Sequence, residues 1–302
     1  MKKAAVFLIL LAAALACNQV IPASSPTSPP PTELPLEASA TPLSPTPIPE
    51  EPTAVPSPTA EPFPGTNISF EHLSLVIPPG LATGATGTQF PPAQGEDIAP
   101  WEITPGHIQL SLEGYLLQDK FHQAQFFVYP ADAYTALDPT AANNISFIQG
   151  MCCRAENTPN PDSLPRIPFF NAGQVFASNI QIIPFQNGQG VRFLTEYAQY
   201  FAFVNNTDLF YQYQGLTEDG QTYLIAILPV TAPVLPPNAE PQTDIPPGGI
   251  AQPGYDDPDA DWEGYYNDIS ALLENTPPDS FTPTLAQLDA LIRSIVIVPE
   301  SQ

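Results

Sequence analysis

Alternation of apolar and polar residues predicts strands through much of the chain after residue 66. Residues 67–80 alternate and end in a Pro-Pro-Gly turn. Residues 107–117 and 123–130 are predicted to be a pair of neighbouring strands, joined by a polar turn around Asp119 and Lys120.

The clearest pattern lies in residues 174–230. One pair of alternating runs flanks the sequence Asn-Gly-Gln-Gly, and a second pair flanks Glu218-Asp219-Gly220. Such turns join antiparallel strands, so this stretch predicts an antiparallel meander with a short connection at Asn-Asn-Thr-Asp. In its last strand Tyr223, Ile225 and Ile227 share one face, which we assign to the core.

Helical spacing follows in three stretches, residues 131–150, 262–274 and 283–293, the first interrupted at Pro139. Residues 151–173 are rich in Pro and Asn and predict a loop, and residues 294–299 predict a final strand. The sequence therefore predicts one α+β domain over residues 66–302, a mainly antiparallel β-sheet flanked by helices.

The last predicted helix has the most specific signals. Thr282 is the expected N-cap and Pro283 the first helical residue, a position that proline favours. Leu285, Leu288 and Ile292 form an apolar stripe that should pack on the sheet.

The first residues have the pattern of an export signal. Lys2 and Lys3 form a basic head, and residues 4–16 are an unbroken apolar run. Thirteen helical residues span about 20 Å, too short for a hydrocarbon core of about 30 Å. A secretory signal peptide over residues 1–16 is the resulting prediction.

Cys17 follows this run directly and changes the interpretation. The stretch before it resembles the lipobox of bacterial lipoproteins, although Ala14 replaces the usual leucine. The resemblance implies that the Cys17 thiol carries a diacylglyceryl group and begins the mature chain. Plain secretion after Ala16 and a retained anchor are the alternatives. We expect attachment to the cell membrane, on its extracytoplasmic face.

Residues 17–65 then form a predicted linker after the attachment site. Fifteen of the 48 residues 18–65 are proline and twelve are serine or threonine. Proline lacks a backbone donor and fixes φ, which disfavours helix and sheet. We predict a disordered, extended tether that spans up to about 150 Å when fully stretched.

Charge excludes one class of partner. Residues 66–302 contain 26 acidic and five basic residues. A nucleic-acid-binding protein needs a basic surface to neutralise phosphates, so we exclude nucleic acid as a partner. The acidity favours cationic, neutral or sugar-like ligands.

Two neighbouring cysteines, Cys152 and Cys153, are a weak redox candidate. Their Cα atoms lie about 3.8 Å apart, below the usual disulfide range, so a bridge between them would be strained and easily reduced. Two thiols without any redox or metal role are the simpler interpretation, because no CxxC motif accompanies them.

An acidic stretch provides the one metal candidate. Asp257, Asp259, Asp261 and Asp268 have the spacing of an EF-hand calcium loop, but Trp262 stands where that loop requires glycine. A loose calcium site and a solvated acidic loop are both open interpretations. No other cofactor is predicted, because no zinc-binding spacing joins the histidines His72, His107 and His122.

The meander also contains aromatic and acidic residues that could form a site. We expect most of the aromatic residues to be core: Tyr197, Tyr200, Phe201, Phe203, Phe210, Tyr211 and Tyr213. Arg192 and Glu196 fall on one strand face and predict a local ion pair. An envelope hydrolase acting on glycans could use carboxylates near the turns of the meander, namely Glu196, Asp208, Glu218 or Asp219. Such an enzyme needs a cleft in which burial beside a second acid raises the pKa of a carboxyl.

Two resemblances complete the prediction. Several stretches, among them "GVRFLTEYAQY" and "FTPTLAQLDALIRSI", resemble parts of uncharacterised bacterial envelope lipoproteins over residues 67–299, which implies no known activity. The order of elements is similar to PsbP-like α/β/α sandwiches, a resemblance that implies a non-catalytic binding or assembly module. We therefore expect a lipid-anchored binding or structural module with a glycan or protein ligand outside the cell, and treat the hydrolase as the alternative.

Overall fold

The computed structural model describes residues 63–151, 159–241, 243–254 and 257–298. The predicted signal peptide, Cys17, the tether up to residue 62, and Cys152 and Cys153 lie outside these residues. Within the described part, the chain has the predicted α+β fold, with mainly antiparallel sheet and four α-helices.

The described residues contain twelve strands. In chain order they are β1 (Thr66–Phe70), β2 (Leu73–Ile77), β3 (Gly84–Phe90), β4 (His107–Glu113), β5 (Gln125–Pro130), β6 (Gly173–Gln174), β7 (Ser178–Phe185), β8 (Gly188–Thr195), β9 (Tyr197–Ala198), β10 (Phe210–Thr217), β11 (Thr222–Pro229) and β12 (Val296–Ile297). Seven of them form one antiparallel sheet in the order β3-β4-β5-β11-β10-β8-β7. Two smaller sheets have the orders β1-β2-β12 and β6-β9.

Four α-helices accompany the strands: α1 (Ala131–Leu137), α2 (Pro139–Met151), α3 (Trp262–Asn275) and α4 (Leu285–Arg293). The predicted break at Pro139 is confirmed, since α1 ends at Leu137 and α2 begins at Pro139. The predicted helix over residues 262–274 is confirmed as α3.

Both faces of the main sheet are covered, and β11 shows why its sequence is almost wholly apolar. Tyr223, Ile225 and Ile227 belong to a buried cluster with residues of α1 and α2. Leu224, which points to the other face, packs in a larger cluster with α3, α4 and the small β1-β2-β12 sheet. A strand buried on both faces favours apolar residues on both, and β11 has them from Tyr223 to Pro229.

The meander over residues 174–230 is confirmed in its essentials. β7 and β8 form the hairpin predicted at Asn187-Gly188, and β10 and β11 form the one predicted at Glu218-Asp219-Gly220. The connection between β8 and β10 is longer than predicted, because residues 196–209 include the short strand β9. That longer connection forms part of the candidate site.

Two expectations about local structure were wrong, and one strand was missed. Residues 67–80 form a hairpin of β1 and β2 instead of one strand, with Glu71 at the turn in a left-handed conformation (φ 50°). The helix predicted from Pro283 begins at Leu285, because Thr284 caps it and exchanges reciprocal hydrogen bonds with Gln287. β3 was not predicted at all.

The ion pair expected between Arg192 and Glu196 was also wrong, because Arg192 pairs with Asp289 of α4. Arg192 Nε lies 3.4 Å from Asp289 Oδ1, and its Nη1 and Nη2 donate to Asn179 O and Gln181 Oε1. Arg192 is 6% exposed, so this pair joins α4 to the sheet inside the core. Burial raises the pKa of Asp289, and the nearby guanidinium opposes that rise.

Candidate functional site

The candidate site lies at one end of the main sheet, where the ends of four neighbouring strands lie side by side. Phe210, the first residue of β10, pairs with Thr195 at the end of β8 and with Pro229 at the end of β11. The first residue of β5, Gln125, pairs with Ile227 of β11 at the same end of the sheet. The β4–β5 and β8–β10 connections therefore come together here, although they are about 80 residues apart in the chain.

A cavity of about 530 Å³ opens between these connections. This volume lies in the range of pockets that take small ligands. Its lining combines aromatic rings, small residues and two acids: Trp101, Phe121, His122, Phe169, Phe170, Asn171, Ala172, Glu196, Tyr197, Ala198, Gln199, Tyr200, Ala202 and Asp208.

Aromatic rings in mutual contact form one wall of the cavity. The Phe170 ring stacks on the His122 ring at 5.1 Å between centroids, and it meets the edge of Tyr197 at 5.1 Å. Phe121 packs edge-on against His122 at 4.9 Å. The Tyr197 hydroxyl accepts a hydrogen bond from the backbone N–H of Ile167 at 3.0 Å, which fixes the orientation of this ring.

The rim of the cavity is aromatic and exposed. Trp101 is 40% exposed, Phe121 72% and Tyr200 64%. Large apolar side chains that cluster with this exposure around a concavity are typical of binding sites, whereas single exposed apolar residues are normal.

Glu196 is the buried acid of the cavity. It follows the last residue of β8 and is 1% exposed. Its Oε2 accepts a hydrogen bond from the backbone N–H of Asn205 at 3.2 Å. Burial and the negative charge of Asp208 raise the pKa of Glu196 well above its usual value, and the Asn205 hydrogen bond only partly offsets them.

Asp208 is the second acid and is only half-buried. Its Oδ2 accepts a hydrogen bond from Asn205 Nδ2 at 2.7 Å. The Asn205 side-chain oxygen in turn accepts from the backbone N–H of Thr207 and of Asp208. Asn205 thus contacts both acids and holds the connection before β10 in one conformation.

His122 contributes an aromatic surface without a positive charge. Burial lowers its pKa to about 4, with a smaller opposing effect from the charge of Asp208. The imidazole is therefore neutral at pH 7 and packs between Phe170, Phe121 and Phe210.

A second cleft, of about 700 Å³, lies at the other end of β5 and has a different chemistry. His107 is stacked there on Phe90 at 5.3 Å and packs against Tyr129 at 4.6 Å. No acid or base other than histidine lines this cleft within the described residues. We prefer the cavity beside Glu196 to this cleft, because it combines aromatic rings with two carboxyl groups.

Of the four acids proposed for a hydrolase, two come together and two do not. Glu196 and Asp208 line the same cavity. Glu218 and Asp219 lie in the turn after β10, about 25 Å away along an eight-residue strand. Asp219 accepts hydrogen bonds there from Thr217 Oγ1 and the backbone N–H of Gln221, and these bonds lower its pKa.

Two of the four calcium candidates accept local backbone hydrogen bonds instead of converging on one point. Asp261 caps α3 and accepts from the backbone N–H of Gly264 at 2.8 Å, and Asp257 accepts from the backbone N–H of Asp259 at 3.0 Å. Asp268 is exposed on α3, seven residues beyond the cap and so about 10 Å along the helix. In the described ranges no three His, Cys, Asp or Glu side chains are grouped as a metal ion requires. Calcium binding stays a prediction, as does a redox role of Cys152 and Cys153.

The aromatic residues of the meander divide into core and site. Phe203, Phe210, Tyr211 and Tyr213 are buried, as expected. Tyr197 forms part of the cavity wall, and Tyr200 and Phe201 are the exceptions to the expectation that most of these residues are core, since they are 64% and 61% exposed.

Several cavity residues were not singled out from the sequence. Trp101 and Phe121, together with the pair Phe169-Phe170, lie in connections instead of strands. Large aromatic residues within polar, proline-rich connections were the available signal, because such segments run over the surface and have no core of their own.

No family model, curated protein or solved structure matches the chain. Among the described residues, no helix is both long and apolar enough to cross a bilayer.

Proposed function

We propose that this protein is a lipid-anchored, non-catalytic binding module of the cell envelope, held on the extracytoplasmic face of the cell membrane through Cys17. The support for the anchor is the basic head, the short apolar run and the cysteine that follows it. The tether would then carry residues 66–302 away from the bilayer. Its ligand would be a soluble glycan, peptide or other small compound outside the cell.

The observation that carries the binding function is the aromatic cavity with Glu196 and Asp208 in its wall. Exposed rings at the rim give a ligand apolar surface to stack on, and the acids give it orientation. A general acid must reach the bond that it protonates, and Glu196 is only 1% exposed. This burial favours binding over catalysis.

The anchor is tested by Cys17→Ser in the full chain, expressed in bacteria that process lipoproteins. We expect the variant to move from the membrane fraction to the soluble fraction, because serine offers no thiol for the diacylglyceryl group. Cys152→Ser is the matched control and should stay in the membrane fraction. Membrane retention of Cys17→Ser equal to that of the wild type would contradict the proposal.

The cavity is tested by Phe121→Ala. Phe121 is 72% exposed, so its loss should remove ring surface at the rim with little effect on folding. The probes are β-1,4-linked N-acetylglucosamine oligosaccharides, short lysine-containing peptides and small organic cations, measured by calorimetry. We expect at least one probe to bind and to lose about tenfold in affinity, while Phe90→Ala in the other cleft leaves it unchanged. Equal effects of the two variants, or none, would argue against the cavity as the site.

The hydrolase is the second candidate, because Glu196 meets the requirement stated above for an acid catalyst. Its pKa is raised by burial and by the charge of a second acid, which is the direction of shift that a general acid needs. Chromogenic glycosides and esters test this function. Turnover that is abolished by Glu196→Gln or Asp208→Asn, and retained in Glu218→Gln, would establish the enzyme and overturn the non-catalytic proposal.

A further inference from the structure

The cavity beside Glu196 has an unusual charge balance. Two carboxyl groups lie in its wall, and no lysine or arginine lines it within the described residues. The whole chain carries a formal charge of −24, so the surrounding potential also attracts cations. A ligand with a positive charge would complement both the wall and the field around it.

Resting on the proposed binding function, we propose that this cavity binds a small organic cation, a quaternary or alkylated ammonium compound. The rings of Phe121, Phe170 and Tyr197 face the cavity together with the exposed Trp101 and Tyr200. An ammonium group within about 6 Å of a ring centroid is attracted to the electron-rich face, and alkyl groups on the nitrogen add contact area. A cavity of about 530 Å³ fits a small molecule of this kind.

The acids add attraction over a longer range than the rings do. Asp208 is half-buried beside the cavity, and Glu196 is almost wholly removed from water. Charges interact more strongly in such surroundings than in water, because the effective dielectric constant is lower. A bound cation therefore gains from Asp208, and from Glu196 once that carboxyl has released its proton, even without touching either group.

The other titratable groups near Glu196 do not cancel this attraction. His122 is neutral at pH 7 because burial lowers its pKa to about 4. Tyr265 of α3 faces Glu196, and burial raises its pKa to about 12, so it is also neutral. Lys120 lies near Asp208 and donates to the backbone carbonyl of Asn206 at 2.8 Å, so its positive charge offsets part of the attraction of Asp208 but not that of Glu196.

Cation binding should be linked to proton release from Glu196. A positive charge in the cavity favours the ionised carboxylate, so the bound cation lowers the pKa that burial and Asp208 raise. By linkage, affinity for the cation rises with pH as long as the carboxyl of the free protein still holds its proton. Glu196→Gln should abolish this dependence and leave a weaker, pH-independent affinity.

The experiment compares choline with 3,3-dimethylbutan-1-ol, which has the same shape but no charge. Both are titrated by calorimetry into the full chain and into Glu196→Gln, with the exposed Glu218→Gln as matched control. We expect choline to bind the wild type about tenfold tighter than the neutral alcohol, with affinity rising as the pH increases above the ordinary pKa of a glutamate. Glu196→Gln should lose the pH dependence and most of the preference, and Glu218→Gln should keep both.

The other outcomes separate a failure of the cation inference from a failure of the proposed binding function. Equal affinity for the two compounds, with both weakened by Phe121→Ala, overturns the cation inference and leaves the cavity as a binding site. If an oligosaccharide binds but neither choline nor the neutral alcohol does, the cation inference is also overturned and the cavity remains a binding site. If Phe121→Ala changes the binding of no probe, the proposed function itself fails.

Discussion

Replacing Glu196 with glutamine should stabilise the protein, and by an amount that depends on pH. In the unfolded chain this carboxyl ionises near its usual pKa of 4.5, whereas burial and Asp208 raise its pKa in the folded protein. Between these two pKa values the folded state holds one proton more than the unfolded state. The free energy of unfolding therefore falls by about 1.4 kcal/mol for each unit of rising pH, because the folded state keeps a proton that the unfolded state has already released.

The contribution of the Glu196 carboxyl to the free energy of unfolding is thus fully present below about pH 4.5. It is lost as the pH rises through the pKa of this carboxyl in the folded protein. Glutamine does not ionise, and its oxygen can still accept the hydrogen bond from Asn205. The stability of Glu196→Gln relative to the wild type should therefore increase with pH by up to about 1.4 kcal/mol per unit.

Urea unfolding, followed by tryptophan fluorescence between about pH 4 and pH 8, measures this difference. Subtracting the wild type removes the contribution of the other titrating groups. Glu218→Gln alters an exposed carboxyl and should show no comparable trend. A stability difference between Glu196→Gln and the wild type that is flat, or that falls with rising pH, would refute the reasoning.

Three further substitutions test the framework that positions the cavity. Arg192→Met should cost about 2–3 kcal/mol in urea unfolding, because it removes the guanidinium beside the partly buried Asp289 and leaves that carboxyl the hydrogen bond from Tyr211 Oη; a loss below about 1 kcal/mol would contradict a stabilising pair. Thr284→Ala should lower the free energy of unfolding by about 1 kcal/mol through loss of the α4 cap, whereas Thr284→Ser should retain most of it. Gly190→Ala should lower the thermal midpoint, at a cost of about 1–3 kcal/mol, because the added Cβ would lie 2.2 Å from Gln214 O; an unchanged midpoint would show that the strands separate freely there.

Hydrophobic patterning predicted the core strands because burial dictates their composition. β10 and β11 are buried along almost their whole length, so apolar residues and turn signals define them clearly. β3 was missed because Gly84–Phe90 is mostly glycine, threonine and glutamine on an outer, largely exposed strand. The β1–β2 turn was missed although the adjacent polar residues Glu71 and His72 interrupt the alternation between Phe70 and Leu73, because no glycine, proline or asparagine marks a turn there.

The candidate site was only partly predictable, because it depends on which strand ends meet. Glu196 and Asp208 could not be separated from Glu218 and Asp219 by sequence, since all four lie near turns of one meander. The sheet order places the first two in one cavity and the second two at the far end of β10. Phe170 comes from a connection whose path no periodic pattern describes.

The most direct test of the central claim is the pKa of Glu196 measured by NMR, in the presence and absence of tetramethylammonium. Carboxyl carbon signals are followed through a pH titration of the full chain, and Glu196→Gln identifies the resonance. We predict a midpoint above 4.5 in the free protein and a lower midpoint when the cation is bound. A midpoint at or below 4.5, or one that the cation does not move while Phe121→Ala behaves as the wild type, would contradict a cation-binding cavity built around this carboxyl.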